Sequence, residues 1–127
     1  MKTILVDAVD CFVIEGKGVF MEMYRLLENY PNPKIVLTGA NDEQIKEFGL
    51  DNIPYIFFTL KHDPEKTSPE YFKKMLKHFN LSANEVIYFE HNIDSVKSAE
   101  SIGIVSFHYN PTKKNLIELK KFIEDNI

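Results

Sequence analysis

The chain has 127 residues, of which 44% are hydrophobic and 27% are charged, which is enough apolar material for the core of one domain. Fifteen Lys and Arg stand against nineteen Asp and Glu, so no excess positive charge is available to neutralise a nucleic-acid backbone. Its one cysteine cannot form an intramolecular disulfide, and no apolar run is long enough for a signal peptide or a membrane span. The sequence therefore predicts a single cytoplasmic domain, residues 1–127, with no nucleic-acid or membrane partner.

Five short runs rich in β-branched and aromatic residues predict buried strands. They are Thr3–Val6, Lys34–Leu37, Tyr55–Thr59, Val86–Phe89 and Ile104–Phe107. Segments with helical spacing of apolar residues follow each strand; Ser68-Pro69 predicts a helix start, and Gly49 and Gly103 predict helix ends. Strands that alternate with helices and are apolar on both faces predict an α/β fold, a doubly wound five-stranded parallel sheet in three layers.

Polar residues follow the predicted strands at the edge of the sheet where ligands bind in such folds. Asp7 ends the first strand, Thr38 ends the second, Glu90 follows the fourth, and Lys66 precedes the helix after the third. A carboxylate, a hydroxyl and a cation on one edge are suited to handling a phosphoryl group. Taken singly, Asp7 and Thr38 are of residue types that are common in turns, and Lys66 is of a type that is usually solvated. The interpretation therefore depends on the order and spacing of these residues along the chain.

Four sequence motifs run through the chain in order. They are an apolar strand followed by a D-x-D-G-T-L type turn, an apolar strand ending in Thr, a lysine in a K-P-x-P-E-x-F type setting, and an apolar strand followed by an acidic segment and a helix ending in Gly. The matching segments are Ile4–Phe12, Ile35–Asn41, Lys66–Phe72 and Val86–Ile104. On these motifs nearly the whole chain resembles the haloacid dehalogenase-like (HAD) superfamily, most of whose members are phosphatases.

The resemblance implies a HAD-like core domain that transfers a phosphoryl group in two steps. Asp7 would attack phosphorus and form an aspartyl-phosphate. Thr38 and Gly39 would bind the phosphoryl oxygens, and Lys66 would neutralise charge on both the nucleophile and the transferring group. The substrate would be a phosphorylated small molecule or macromolecule.

At the acid/base position of the first motif, this chain departs from the family pattern. Val9 stands where the family has the aspartate that protonates the leaving group and then activates water. General acid–base catalysis is worth roughly 10²–10⁴-fold, so hydrolysis of the aspartyl-phosphate is expected to be slow. Asp10 is one residue further on, and a step of one residue along an extended chain reverses the direction of the side chain.

The metal site implied by the resemblance is the second departure. In the family, Mg²⁺ held by carboxylates reduces repulsion between the nucleophile and the anionic substrate, and here the ligands would be Asp7, Glu90 and Asp94. His91, however, stands at the position of the metal-binding aspartate, and imidazole is a poor ligand for Mg²⁺. A weakened or absent Mg²⁺ site is expected; alternatively, His91 serves only to hydrogen-bond within its own loop.

The predicted elements leave no room for a cap domain over the site. Val13–Pro33 separates the first two strands, a helix from about Val19 to Tyr30 uses most of that segment, and Glu15–Gly18 suffices only for a small flap. In this family an open site goes with macromolecular substrates or with partner subunits that supply a lid. The oligomeric state is left open.

Two functions from different classes remain. One is a capless phosphatase-like hydrolase acting through Asp7 and attenuated at Val9 and His91. The other is a non-catalytic member that keeps the fold and an anion pocket and serves as a binding or regulatory module. A third alternative is metal-free dehalogenation, because the dehalogenase members of the superfamily carry an Asn where Asn92 stands, but those enzymes need a cap. Cys11 is interpreted as a structural residue.

Overall fold

The computed structural model describes the whole chain, Met1–Ile127, and its centre is a five-stranded parallel sheet. The strands in chain order are β1 (Thr3–Asp7), β2 (Val13–Ile14), β3 (Gly18–Val19), β4 (Lys34–Thr38), β5 (Ile56–Thr59), β6 (Val86–Glu90) and β7 (Val105–His108). The central sheet has the order β5-β4-β1-β6-β7, and β2 and β3 form a separate antiparallel hairpin. The predicted fold class, a doubly wound parallel sheet, is confirmed.

Five helices cover the two faces of this sheet. They are α1 (Met21–Leu27), α2 (Asp42–Glu47), α3 (Pro69–Phe79), α4 (Ile93–Ser101) and α5 (Leu116–Asn126), with short 3₁₀ turns at Leu50–Asn52 and Ala83–Glu85. None of these helices has both the length and the apolar character that crossing a membrane requires.

Alternation along the strands produces two apolar cores. On β1, Ile4 and Val6 pack with residues of α1 and α5, whereas Leu5 packs with residues of α3 and α4. Successive strand residues point to opposite faces, so a strand that is apolar at every position must be covered on both sides. The three layers follow directly from this pattern.

The helix boundaries follow the capping residues that the sequence offers. The Ser68 hydroxyl accepts a hydrogen bond from the Glu70 backbone N–H at 3.3 Å, and Pro69 begins α3. Gly49 and Gly103, just past the ends of α2 and α4, have φ of 68° and 92°, a left-handed conformation that favours glycine.

The segment between β1 and β4 differs from its prediction in one respect. Helix α1 spans Met21–Leu27 rather than about Val19–Tyr30, because Val19 pairs with Val13 in the β2–β3 hairpin. That hairpin is the predicted small flap around Glu15–Gly18. No further helix or sheet is inserted between the strands to form a cap.

Candidate functional site

A cavity of about 250 Å³ opens at the carboxyl edge of the central sheet. Among the residues that line it are Asp7, Val9, Thr38, Gly39, Lys66, Glu90 and His91. The ends of β1, β4 and β6 and the loop before α3 meet here because parallel strands end at the same edge. Of the residues near the site that were singled out in the sequence, Asp10, Cys11 and Asp94 do not line this cavity.

Asp7 and Lys66 form a buried ion pair at the cavity. The Lys66 Nζ donates to Asp7 Oδ1 at 2.5 Å and to the Leu37 carbonyl oxygen at 3.3 Å. The side chains of Asp7 and Lys66 are only 2% and 14% exposed. Asp7 has the same strand alternation as Leu5, so it faces the side of the sheet from which the loop before α3 delivers Lys66.

Glu90 is the second carboxylate of the cluster and is fully buried. Its Oε1 lies 2.9 Å from Lys66 Nζ and also accepts a hydrogen bond from the Tyr88 hydroxyl. Its Oε2 accepts from the Asn92 backbone N–H at 3.1 Å. Tyr88 was not predicted to be part of the site. Its position two residues before Glu90 on a strand places both side chains on one face, and this spacing could have indicated the contact.

His91 contacts both carboxylates. Its backbone N–H donates to Asp7 Oδ2 at 3.2 Å, and its Nδ1 contacts that same oxygen and lies 3.1 Å from Glu90 Oε2. On the other side of the ring, Nε2 is 3.7 Å from Asp10 Oδ2. The His91 carbonyl oxygen is 2.9 Å from His108 Nε2, so both the backbone and the ring are held in place.

The four charged groups of this cluster control one another. Burial raises the pKa of Asp7 to about 6, against the opposing effect of the Lys66 ammonium. Burial acts in the same direction on Glu90, but Lys66 and hydrogen bonds hold its pKa well below the usual range. Hydrogen bonds to Asp7 and Glu90 raise the pKa of His91 to about 10, and the two carboxylates raise that of Lys66 despite its burial. At neutral pH, two anions therefore face two cations.

Thr38 offers a hydroxyl to the cavity. Its Oγ1 accepts from the Ala40 backbone N–H at 3.1 Å and donates to no protein group, so its proton is free for a ligand oxygen. The Tyr71 hydroxyl donates to the Thr38 carbonyl oxygen at 2.7 Å and fixes the end of β4. Gly39 lines the same wall, where an added Cβ would lie 3.5 Å from His62 Nδ1, an ordinary contact.

The turn after β1 determines which side chains reach Asp7. Val9 lines the cavity, whereas Asp10 has φ of 71° and its side chain is half exposed outside the cavity. The turn brings Cys11 back so that its Sγ donates to Asp7 Oδ2 at 3.3 Å. Burial and the nearby carboxylates raise the pKa of Cys11, which keeps it a thiol. The contact of Cys11 with Asp7 was not predicted, because it depends on this turn.

The first turn of α4 separates two neighbouring residues. Asp94 is exposed and its backbone N–H donates to the N-cap side chain of Asn92, whereas Ser95 is buried and lines the cavity. Consecutive helix residues point about 100° apart, so only one of the two can face the site. The structure thus does not bring the predicted ligand Asp94 to Asp7 and Glu90.

The outer rim of the cavity contains a polar group that the sequence analysis did not identify. His62 Nδ1 is 2.5 Å from Glu65 Oε1, and His62 Nε2 is 2.5 Å from Gln44 Oε1. All three residues line the cavity. His62 lies in the loop after β5, at the carboxyl edge of the sheet where candidate residues were sought, and that position was the available signal.

The donor atoms present do not fit Mg²⁺. Every carboxylate oxygen of Asp7 and Glu90 already accepts from a protein donor, and Lys66 and His91 bring positive charge to the same space. The group with metal-ligand spacing is Asp7, Cys11 and His91, within 4.8 Å of one another. One oxygen, one sulfur and one nitrogen are a poor set for Mg²⁺, which requires near-octahedral oxygen coordination.

No family model matches the sequence. Among curated proteins, the chain is similar to the sesquiterpene phosphatase astK of Aspergillus oryzae, with 24% identity over 112 residues. This match covers 87% of the chain and 52% of the relative, so the chain spans about half the length of the curated relative.

Solved structures match more completely. An uncharacterized protein from Corynebacterium glutamicum has a TM-score of 0.65 at 13% identity, covering 98% of this chain and 96% of that one. A HAD family enzyme from Bacteroides thetaiotaomicron, in complex with magnesium and inorganic phosphate, has a TM-score of 0.64 at 11% identity, covering 86% and 94%. A HAD-superfamily hydrolase of subfamily IA from Geobacter sulfurreducens has 0.60 at 16%, covering 86% and 89%.

The parallel sheet and its strand order define an α/β protein, and its polar site lies at the carboxyl edge of the sheet. Its fold is that of the HAD-like hydrolases, as the sequence motifs predicted.

Proposed function

We propose that this chain is a HAD-like phosphoryl-transfer protein in which Asp7 accepts the phosphoryl group. The observation that carries the proposal is the buried pair of Asp7 and Lys66 in a cavity that also contains the free hydroxyl proton of Thr38. The names of the relatives support it, since one is a sesquiterpene phosphatase and another binds inorganic phosphate. This is the attenuated phosphatase-like function that the sequence favours.

In the first step, an oxygen of Asp7 attacks phosphorus while the bond from phosphorus to the leaving oxygen breaks. Lys66 stabilises the charge on the transferring group, and the Thr38 hydroxyl donates to one phosphoryl oxygen. Val9 has no proton to give, so the leaving oxygen takes its proton from water. The preferred substrates of this step are therefore phosphate esters whose leaving groups are stable as anions.

In the second step, water attacks phosphorus, the bond from phosphorus to the Asp7 oxygen breaks, and inorganic phosphate leaves while the proton of the attacking water passes to solvent. Val9 cannot remove a proton from that water, and the half-exposed Asp10 lies outside the cavity. Base catalysis of this kind is worth roughly 10²–10⁴-fold. With a leaving group that needs no proton, the second step is accordingly much slower than the first, and the phosphorylated protein accumulates.

The open cavity bears on the substrate. No cap element within the chain covers the mouth, and the polar rim of Gln44, His62 and Glu65 faces solvent. Such a mouth admits the phosphate of a small molecule or of a macromolecule, and a partner subunit can close it.

A non-catalytic binding module is the second candidate. It is favoured by the hydrogen bonds that engage both oxygens of Asp7, because a carboxylate held by several donors is a weaker nucleophile. In this case Lys66 and Thr38 bind a phosphate group that is never transferred.

The test is release of nitrophenol from p-nitrophenyl phosphate by the native protein, by Asp7→Asn and by the matched control Asp51→Asn, in which an exposed aspartate is changed. Each protein is assayed with Mg²⁺, with Mn²⁺ and with chelator. We expect a burst of one nitrophenol per protein followed by slow release, together with a mass increase of one phosphoryl group. Both are lost in Asp7→Asn and retained in Asp51→Asn.

If no variant differs and no phosphorylated species forms under any metal condition, the transfer function is wrong. Binding of inorganic phosphate, measured by calorimetry, then decides the second candidate. For a binding module, Asp7→Asn strengthens phosphate binding because it removes a negative charge from the cavity without removing Lys66.

A further inference from the structure

The ring of His91 lies between two buried carboxylates. Its Nδ1 contacts Asp7 Oδ2 and lies 3.1 Å from Glu90 Oε2. Asp7 and Glu90 are the buried carboxylates that would hold a divalent cation here. The His91 ring already occupies the space between these two oxygens.

His91 is built into this position rather than swung into it by chance. Its backbone N–H also donates to Asp7 Oδ2, and its carbonyl oxygen lies 2.9 Å from His108 Nε2. The far nitrogen of the ring is 3.7 Å from Asp10 Oδ2, so the ring has an acidic neighbour on each side. These contacts come from two separate chain segments, the end of β1 with the turn after it and the end of β7, and they fix both the backbone and the ring.

Lys66 completes the balance of charge. It contacts the remaining oxygens, Asp7 Oδ1 at 2.5 Å and Glu90 Oε1 at 2.9 Å. The two carboxylates thus have one nitrogen cation against each pair of oxygens. A Mg²⁺ ion could bind only by displacing His91 and would then compete with Lys66 for the same ligands.

We propose that the His91 side chain takes the place of the divalent cation at this centre, which binds phosphoryl groups without metal. The exclusion of metal stands on the contacts of His91 alone, while its consequence for phosphoryl binding rests on the proposed function. His91 is then a positioning residue that bridges Asp7 and Glu90, and it presents positive charge to an incoming anion, as a metal would.

The experiment is thermal unfolding of the native protein, His91→Asp, His91→Asn and the control His78→Asp, each in chelator and in millimolar Mg²⁺. We expect no change in the native Tm on addition of Mg²⁺. His91→Asp places a third carboxylate beside Asp7 and Glu90, so its Tm is low in chelator and rises by about 5 °C in Mg²⁺, since a ligand bound only by the folded state stabilises it. His78→Asp makes the same change at an exposed residue of α3 outside the cavity, and its Tm is expected not to respond to Mg²⁺.

His91→Asn keeps the inference testable if His91→Asp does not fold. It removes the ring without adding a charge, so Mg²⁺ is expected to raise its Tm by less than in His91→Asp but by more than in the native protein. A rise in the native Tm as large as that of either variant would overturn the inference. A rise of the native Tm with Zn²⁺ that Cys11→Ser and His91→Asn both abolish would also overturn it, because His91 would then be a ligand.

These measurements separate the inference from the proposed function. The unfolding series contains no phosphate and tests only whether His91 excludes a cation. The nitrophenol assay tests only whether Asp7 is phosphorylated. Phosphorylation of Asp7 that strictly requires Mg²⁺ would overturn the inference while leaving the proposed function in place.

Discussion

The two oxygens of Asp7 face two different regions of the molecule. Oδ1 faces Lys66, on the side of the cavity that also holds Thr38. Oδ2 faces His91 and Cys11, on the side formed by the turn after β1 and the loop after β6. The first region holds the residues that the resemblance to HAD-like proteins predicts, whereas the second has Val9 and His91 where the family pattern has aspartates.

Under the proposed function, holding a phosphoryl group and moving its protons are separable tasks. Lys66 and Thr38 then hold and neutralise the group, and they come from the loop before α3 and from the end of β4. In the family pattern, the acid/base and the metal ligand come from the turn after β1 and from the loop after β6, where this chain has Val9 and His91. Because the two tasks use different chain segments, one can change while the other is retained.

The largest expected effect is a loss of stability on changing Lys66, in the region around Asp7 Oδ1. Lys66→Met leaves Asp7 and Glu90 buried without their shared cation, and removing one partner of a buried ion pair costs roughly 3–5 kcal/mol. Urea unfolding at neutral pH measures this loss. The matched control is Lys73→Met, which breaks an exposed pair with Glu70 and is expected to cost at most about 1 kcal/mol. Equal losses in the two variants would show that Lys66 does not hold the cluster together.

An intermediate effect is expected on the rate of dephosphorylation when an acid/base group is placed at position 9. Val9→Asp returns a carboxyl group to the cavity wall beside Asp7 and should speed breakdown of the phosphorylated protein by roughly 10²-fold. Single-turnover decay of the phosphorylated species measures the rate. Val9→Asn has a similar shape but no acid, and it should decay at the native rate. Equal decay of Val9→Asp and the native protein would place the defect elsewhere than at Val9.

The smallest expected effect concerns His91 and depends on pH. Its pKa is about 10 in the folded protein and 6.5 for a free histidine, so the folded state binds the proton more tightly. The resulting stability is fully present below pH 6.5 and is lost as the pH rises from there through about 10. His91→Asn should therefore be less stable than the native protein by roughly 1–3 kcal/mol at pH 6.5.

Urea unfolding between pH 6.5 and 10 measures how this difference changes. The stability gap between the native protein and His91→Asn should narrow steadily as the pH rises. The range begins at pH 6.5 because Asp7, whose pKa is about 6, begins to protonate below it and changes the partner of His91. A gap that stays constant over this range would contradict a charged contact between His91 and Asp7.

Much of this architecture could be predicted from local signals. Strand residues apolar on both faces indicate a covered parallel sheet, and Ser68, Gly49 and Gly103 mark helix boundaries through backbone chemistry that acts within a few residues. The meeting of Asp7, Thr38 and Lys66 also follows, because their positions at strand and helix ends bring them to one edge of any such sheet.

What could not be predicted depends on the direction of individual side chains. Asp94 and Ser95 are adjacent, and only the docking of α4 on the sheet decides that Ser95 faces the cavity. Asp10 has a left-handed backbone, which the sequence does not reveal for a residue other than glycine. His91 was open to several interpretations until the loop after β6 brought its ring against Asp7.

By itself, then, the sequence determined the sheet, its layers, the edge that carries the polar residues and the two substitutions at Val9 and His91. Hydrophobic periodicity and helix capping depend on residues that are close in sequence, so they can be recognised without the tertiary structure. Only the tertiary structure decided that His91 bridges Asp7 and Glu90, that Cys11 contacts Asp7 and that Lys66 contacts both carboxylates. Those contacts join segments up to 84 residues apart, and long-range packing, not local preference, brings them within hydrogen-bond distance.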